Sequence, residues 1–185
     1  QLLETTDAME VVNEILIPAL DSAGKLFEQG KIFLPQLIQT ASVAQAAFEV
    51  IKTTLIERNA APVSRGEIVL ATVKGDIHDI GKNIVRVLLE NYGYTVLDLG
   101  RDVPCQLVAD TAKEHGVKLV GLSALMTTTL GAMEETIQLV KQSCPDCKIV
   151  VGGAVLTADY AEKIGADFYA KDAMETVAVA KEVVG

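Results

Sequence analysis

The chain has 185 residues, half of them hydrophobic, which is enough for one sizeable core or for one domain with a small partner. No apolar run reaches the roughly 18 residues that a membrane-spanning helix needs, and the formal net charge of −9 argues against nucleic acid and anionic membranes as partners. The start lacks the basic segment of a signal peptide, and the three cysteines fit a reducing compartment, so we expect a cytoplasmic protein.

The first 60 residues are predicted to form two helices. Apolar residues recur at helical spacing over residues 7–28 and again over residues 33–57. Pro18 falls inside the first of these helices, where it predicts a kink or a new first turn. Two helices alone make a poor core, so they need a partner surface. Either they form a hairpin that packs on the next domain, or they are half of a larger bundle that begins before Gln1.

Residues 59–66 are small or turn-forming and are predicted to be a linker between a helical domain, 1–60, and an α/β domain, 61–185. Beyond the linker, strand-like segments alternate with helix-like segments. The strands are predicted at 67–73, 95–99, 118–123, 147–151 and 167–170, and the helices at 82–92, 104–115, 130–143, 157–164 and 173–183. This alternation favours a flavodoxin- or Rossmann-like parallel sheet of five strands in the order 2-1-3-4-5.

The loops that follow the predicted strands carry the residues of chemical interest. The first contains Asp76-x-His78-x-x-Gly81, and the later ones contain Ser123–Thr129, Gly152-Gly153 and Lys171–Ala173. Open α/β sheets bind ligands at the carboxyl ends of their strands, and Gly, Ser and Thr there allow close approach and offer hydroxyl donors. The two glycines leave room for a bulky ligand, and a leucine at Gly153 is expected to close that space without disturbing the sheet.

The residues Asp76-x-His78-x-x-Gly81 match the cobalamin-binding signature of corrinoid proteins, and Ser123–Thr129 with Gly152-Gly153 match its later landmarks. The chain resembles, over nearly its whole length, the cobalamin-binding region of cobalamin-dependent methionine synthase, particularly its shorter bacterial forms. The corrinoid proteins of methanol, methylamine and O-demethylase systems look very similar. The resemblance implies a helical cap, a partial bundle, in front of a B12 domain whose cofactor is cobalamin or a related corrinoid.

His78 has a defined chemical use in this setting. A neutral imidazole is a good ligand for cobalt, and Asp76 can reach its other ring nitrogen, which fixes the tautomer and raises the basicity. The resemblance implies that Thr129, where a member of the family has serine, continues this relay, so that His78 is the metal ligand and Asp76 and Thr129 are its catalytic partners. The cofactor-binding residues that it implies in the sheet domain are Gly75, Asp76, Ile77, His78, Asp79, Gly81, Ser123, Thr127, Thr129, Gly152, Gly153 and Ala173.

Three apolar residues near the turn at residues 28–31 are the candidates for the upper face of the cofactor. Phe27, Leu34 and Leu37 match the apolar cap that shields the methyl group in the methionine synthase family. An apolar lid of this kind excludes water from a reactive cobalt centre. The alternative is that they are ordinary core residues of a helix pair.

The resemblance implies a methyl carrier, in which Co(I) accepts a methyl group and methyl-Co(III) donates it, as an enzyme module of methionine biosynthesis that is inactive alone. Its expected partners are a methyltetrahydrofolate-binding module, a homocysteine-binding module and a reactivation partner, on the same chain or as subunits. The alternative within this chemistry is a corrinoid protein serving methanol, a methylamine or an aryl methyl ether. Other classes are a cobalamin-dependent sensor, the cobalamin domain of a radical mutase, and a cofactor-free receiver or flavodoxin-like module.

The remaining residues of interest give weaker signals. Cys144 and Cys147 form a CxxC pair, which lacks the second pair or the histidines of a zinc site. Cys105 follows Pro104 at a predicted helix start and is expected to be structural. His115 precedes a glycine at a predicted helix end, where a cationic side chain suits the helix dipole.

Overall fold

A computed structural model describes residue 6, residues 8–57 and residues 64–185. The chain divides into two compact units, one of residues 1–64 with 90–94 and the other of residues 65–89 with 95–185. The predicted domain boundary at residue 60 lies outside the described residues, and the predicted linker is described only from Ser64 onward.

The first unit contains two long helical segments. The first consists of α1 (Ala8–Val11), a π-helical segment (Val12–Leu16) and α2 (Ile17–Glu28), and the second is α3 (Leu34–Glu57). Pro18 occupies the first turn of α2, where its missing N–H costs nothing, and the backbone N–H of Ile17 bonds to the carbonyl of Val12, five residues back. The proline therefore starts a new helix after a wider turn.

The buried residues of the first unit include several of the apolar residues that recur at helical spacing, although Ile15 is 44% exposed. Val11 and Val12 pack with Ile51, and Leu20 and Leu37 are each only 2% exposed. Removing such side chains from water is the main stabilising term for a helix pair of this kind. Gly30 turns the chain between α2 and α3 with a φ of 68°, which a residue without Cβ adopts freely.

The second unit is a parallel five-stranded sheet in the order β2-β1-β3-β4-β5, which confirms the predicted fold. The strands are β1 (Glu67–Thr72), β2 (Thr95–Asp98), β3 (Leu119–Ser123), β4 (Lys148–Gly152) and β5 (Phe168–Tyr169). The helices are α4 (Ile80–Asn91), α5 (Cys105–His115), α6 (Leu130–Ser143), α7 (Ala158–Lys163) and α8 (Ala173–Val183), with a 3₁₀ turn at Thr127–Thr129.

The sheet supplies the main core of the second unit. Residues 68–73 are all buried, as expected of a central parallel strand that helices cover on both faces. Registry aligns Thr72, Ser123 and Gly152 at the carboxyl ends of β1, β3 and β4. The described residues include no helix that is both long and apolar enough to cross a membrane.

Candidate functional site at the carboxyl ends of the strands

His78 lies in the short loop between β1 and α4, which runs from Val73 to Asp79. Its side chain is 45% exposed, whereas that of Asp76, two residues earlier, is fully buried. The loop leaves the sheet beside the point where the strand order reverses, because β1 lies between β2 and β3. The fold therefore presents the imidazole at the edge where open α/β sheets hold ligands.

One carboxylate oxygen of Asp76 holds His78 twice. Asp76 Oδ1 accepts a hydrogen bond from the backbone N–H of His78 at 3.0 Å and lies 2.8 Å from the ring nitrogen Nδ1. An ionised carboxylate only accepts, so in the neutral imidazole Nδ1 carries the proton and Nε2 keeps its lone pair. No residue in the described part of the chain hydrogen-bonds Nε2, so this nitrogen is available to a metal.

The other oxygen of Asp76 is held by the loop that follows β3. Asp76 Oδ2 accepts from the backbone N–H of Leu125 at 2.7 Å, from that of Met126 at 3.1 Å, and from the hydroxyl of Thr129 at 3.2 Å. The Thr129 hydroxyl shares its one hydrogen between this oxygen and the carbonyl oxygen of Met126, which lies 2.8 Å away. Thus His78, Asp76 and Thr129 are brought together in the order that the sequence predicts.

These contacts decide the charge of the Asp76 carboxyl. Burial by itself raises the pKa of Asp76, but the hydrogen bonds from the backbone of His78, Leu125 and Met126 and from the His78 ring outweigh it. They hold the pKa well below its usual range. The carboxylate is therefore ionised at neutral pH and acts as a fixed acceptor for Nδ1–H.

The glycine pair at the end of β4 lies against backbone atoms of the neighbouring segments. Gly153 has a φ of +136°, and a Cβ at this position would lie 1.9 Å from the carbonyl oxygen of Ala124. A Cβ at Gly152 would lie 3.0 Å from the carbonyl oxygen of Ala170. The expectation that a leucine at Gly153 leaves the sheet undisturbed is therefore wrong, because the backbone of the β3 loop already occupies that space.

The small and hydroxyl residues at the strand ends form a row. The hydroxyls of Thr72 and Ser123 lie 3.0 Å apart across β1 and β3, and Gly152 is the next residue in register. Thr72 is fully buried and was not among the predicted site residues. Its signal in the sequence is a polar residue that ends an otherwise apolar strand.

The other predicted residues of the sheet domain lie in the loops and first helical turns that follow the strands. Ile77 is 60% exposed, and the backbone carbonyl of Asp79 accepts a hydrogen bond from the backbone N–H of Asn83 at the start of α4. Gly81 lies in the first turn of α4, and Thr127 is the exposed first residue of the 3₁₀ turn. Ala173 begins α8, at the end of β5.

Two exposed apolar side chains near His78 escaped the sequence analysis. Ile80 is 77% exposed and Leu125 is 43% exposed, on the helix start and the loop that flank the His78–Asp76 pair. With Ile77 they give the site an apolar rim, which suits a large flat ligand. In the sequence, both could have been noticed as hydrophobic residues at positions where the predicted fold has a loop or a helix start rather than a core.

A second polar cluster braces the helix that follows the His78 loop. The side chain of Lys82, in the first turn of α4, is 2% exposed, and its ammonium group hydrogen-bonds to the carboxylate of Asp98 at the end of β2. Arg86 lies 3.5 Å from the other oxygen of Asp98. Burial raises the pKa of Asp98, but the Lys82 ammonium and the Gly100 N–H beside it hold that pKa below its usual value.

The three predicted cap residues lie in the first unit. Leu37 is 2% exposed and belongs to the interior of that unit, whereas Phe27 and Leu34 are half-buried. Phe33, in the same turn, is 72% exposed and was not predicted. The shielding role of Phe27, Leu34 and Leu37 stays a prediction.

The site offers a single histidine to a metal. The described residues contain no group of three or more His, Cys, Asp or Glu side chains that could hold an ion. Cys144 and Cys147 are free thiols, and burial raises the pKa of Cys147 to about 12, as expected of an inert core cysteine. A metal at His78 must therefore bring its other ligands with it, as a macrocyclic cofactor does.

Comparisons with known proteins agree on one family. Residues 66–178 match the family model described as "B12 binding domain", and residues 1–52 match a second model with the same description. Dimethylamine corrinoid protein 1 of Methanosarcina acetivorans is 43% identical over 180 residues, which is 96% of this chain and 84% of that protein.

Two solved structures resemble the chain along almost all of its length. A cobalamin-binding protein from Desulfitobacterium hafniense DCB-2 has a TM-score of 0.81 at 34% identity and covers 96% of this chain and 84% of its own. The methanol:cobalamin methyltransferase complex of Methanosarcina barkeri contains a chain with a TM-score of 0.84 at 28% identity, and the match covers 100% of this chain and 70% of that one.

Proposed function

The chain belongs to the B12-binding domain family, and we propose that it is a corrinoid methyl carrier of a methylamine-type methyltransferase system. Its cofactor is cobalamin or a related corrinoid. The 43% identity to a dimethylamine corrinoid protein favours this alternative over the methionine synthase module that the sequence suggested. A dimethylamine- or methanol-type donor subunit is therefore a better candidate partner than folate- and homocysteine-binding modules.

The single observation that carries the proposal is the free Nε2 of His78 beside a fully engaged Nδ1. The chain's residues fit a corrinoid, because the macrocycle supplies the equatorial ligands and needs one nitrogen from the protein. We propose His78 as that axial ligand, with the predicted strand-end residues around it as the binding surface. The cofactor supplies a cobalt centre on which a methyl group is carried.

The protein's own contribution is to control the imidazole. Asp76 holds the proton on Nδ1, which keeps the Nε2 lone pair available and makes the ring a stronger donor. The backbone N–H groups of Leu125 and Met126 keep Asp76 ionised and in place, and the hydroxyl of Thr129 lies 3.2 Å from the same carboxylate oxygen. The relay thus sets both the tautomer and the orientation of the proposed ligand.

Electron paramagnetic resonance of the reconstituted Co(II) protein tests the axial ligand. The protein is prepared with ordinary and with ¹⁵N-labelled histidine, and we expect the nitrogen splitting to change from a triplet to a doublet. His115→Gln, which removes the other histidine, should leave the pattern unchanged. If the splitting is the same with labelled and unlabelled histidine, the base of the cofactor itself remains bound and His78 is not the ligand.

The donor is tested separately with purified methyltransferase subunits. The reconstituted chain is reduced and mixed with a dimethylamine-, methanol- or methyltetrahydrofolate-specific methyltransferase and its substrate. Methylation of the cofactor is followed by its visible absorbance. We expect the amine system to be fastest, and transfer only from methyltetrahydrofolate would instead support a methionine synthase module.

The proposed shielding role of Phe27 is tested by the photolysis rate of the bound methylated cofactor. If Phe27 shields the methyl face, Phe27→Ala should speed the photolysis of the bound methylated cofactor, because an open site lets the radical pair separate. Phe33→Ala, a matched control on an exposed phenylalanine of the same turn, should leave the rate unchanged. Equal rates in wild type and a folded Phe27→Ala protein would make Phe27 an ordinary packing residue.

A further inference from the structure

Asp102, in the loop after β2, has an unusual backbone conformation. Its φ of +53° is the one positive value among the non-glycine residues that the structure describes. An L-residue adopts this left-handed conformation at a cost, and Asp is among the few side chains that tolerate it. Such outliers persist where the surrounding contacts enforce them, and they cluster at functional sites.

The contacts of Asp102 lead directly to the loop that bears His78. Its carboxylate accepts a hydrogen bond from the backbone N–H of Gly75 at 2.7 Å. Its own backbone N–H donates to the carbonyl oxygen of Asp76 at 2.9 Å. Asp102 therefore clamps the backbone on both sides of the bond between Gly75 and Asp76.

This clamp completes the support of Asp76. The Asp76 side chain is fixed from the β3 side by Leu125, Met126 and Thr129, whereas its main chain is fixed from the β2 side by Asp102. Gly75 has a φ of +84°, and a Cβ at this position would lie only 3.3 Å from the methyl carbon of Thr129. Because both the side chain and the main chain of Asp76 are held, the position of its Oδ1 beside the imidazole is fixed.

The fold does not need the Asp102 carboxylate to join the two loops. The backbone N–H of Val103 bonds to the carbonyl of Thr72, and that of Thr72 bonds to the carbonyl of Gly100. Val73 and Val103 form a parallel bridge at the same place. Main-chain hydrogen bonds thus already tie the β2 loop to the end of β1.

We propose that Asp102 is a positioning residue for the histidine ligand, acting through Gly75 and Asp76. The proposal rests on His78 being the axial ligand, as proposed above. The Asp102 carboxylate fixes the position of Asp76, so that the His78 imidazole keeps the Nδ1–H tautomer and one orientation. Loss of the carboxylate frees the Gly75 N–H and lets Asp76 shift away from the ring.

Two substitutions separate this role from that of a simple turn residue. Asp102→Gly keeps the left-handed backbone but removes the acceptor, whereas Asp102→Asn keeps both. Arg101→Gly is the matched control, because it loosens the same loop, and the Arg101 side chain makes no hydrogen bond within the described part of the chain. Circular dichroism verifies that each variant is folded.

The first readout is the tautomer of His78 in the cofactor-free protein. In ¹⁵N-histidine NMR under conditions where the rings are neutral, wild type, Asp102→Asn and Arg101→Gly should show the Nδ1–H form. Asp102→Gly should raise the share of the other tautomer about 3-fold or more. His115, paired with Glu67 at the opposite end of β1, should be unchanged and serves as the internal reference.

The second readout is the histidine-ligated fraction of the Co(II) protein, which should fall about 3- to 10-fold in Asp102→Gly and recover in Asp102→Asn. Wild-type values of both readouts in folded Asp102→Gly would overturn the proposal. If wild type itself shows no histidine coupling, the axial-ligand proposal fails, and the NMR comparison still decides whether Asp102 positions the ring.

Discussion

Replacing Asp76 by asparagine should move the proton of the His78 ring onto the nitrogen that we propose as the metal ligand. The wild-type carboxylate accepts two hydrogen bonds from His78 on Oδ1 and three from the β3 side on Oδ2. An amide has one accepting oxygen and one donating nitrogen. Whichever way it turns, the NH₂ group faces groups that were donors.

The two orientations differ in cost. With the NH₂ on the β3 side, the backbone N–H groups of Leu125 and Met126 both lose their acceptor, at about 1–3 kcal/mol each. With the NH₂ on the His78 side, one backbone N–H loses its acceptor, while the ring can adapt by accepting at Nδ1. The second orientation is cheaper, so we expect a net destabilisation of about 1–3 kcal/mol.

That adaptation places the imidazole proton on Nε2, the nitrogen that we propose as the metal ligand. Asp76→Asn should therefore lose histidine coordination even while it stays folded, as seen by ¹⁵N-histidine NMR and by the splitting in the Co(II) spectrum. Urea unfolding gives the stability change. Asp172→Asn is the control, because Asp172 caps α8 by accepting one N–H, a role that Asn fills equally well. Full retention of the histidine signal in Asp76→Asn would refute the tautomer argument.

Three further outcomes follow from the second unit. Lys82→Met should destabilise it by about 2–4 kcal/mol in urea unfolding, because Asp98 loses its buried counter-ion, and Lys82→Met with Asp98→Asn should recover part of the loss. Gly153→Ala should cost about 2–4 kcal/mol through its clash with a backbone oxygen, whereas Gly131→Ala, in open helical surroundings, should gain about 0.5–1 kcal/mol. The folded pKa values of Asp76 and Asp98 lie below the unfolded value of about 3.9, so their stabilisation is complete above that pH and is lost as the pH falls toward the folded values. Urea midpoints should therefore drop below about pH 4, less steeply in Asp98→Asn, and an equal drop in both proteins would contradict the assignment to Asp98.

The sheet was predictable because its strands follow simple rules of burial. Residues 68–73 are apolar except for Thr72 and are mostly β-branched, which is typical of a buried strand. The last strand was predicted too long. The pairing of β4 with β5 covers only Phe168 and Tyr169, and at Asp167 the carboxylate rather than a main-chain carbonyl accepts the backbone N–H of Ile149.

The site was predictable where its contacts are local in sequence. Asp76 and His78 are two residues apart, and such a spacing lets an aspartate bond the backbone and ring of its neighbour. The donors on Leu125 and Met126 are main-chain groups, which carry no sequence signal. Asp102 lies 27 residues from Gly75, and only the pairing of strand ends brings the two together.

In the loop after β3, the main chain holds Asp76, which leaves the side chains of the same residues free for another role. The acceptors and donors of the relay are satisfied by the peptide groups of residues 125 and 126, so the side chains of Leu125 and Met126 take no part in it. Leu125, at 43% exposure, can thus be substituted without loss of any hydrogen bond to Asp76, and its side chain is free to meet the demands of a bound ligand. Evolution can vary what this surface recognises while the imidazole stays under the same control.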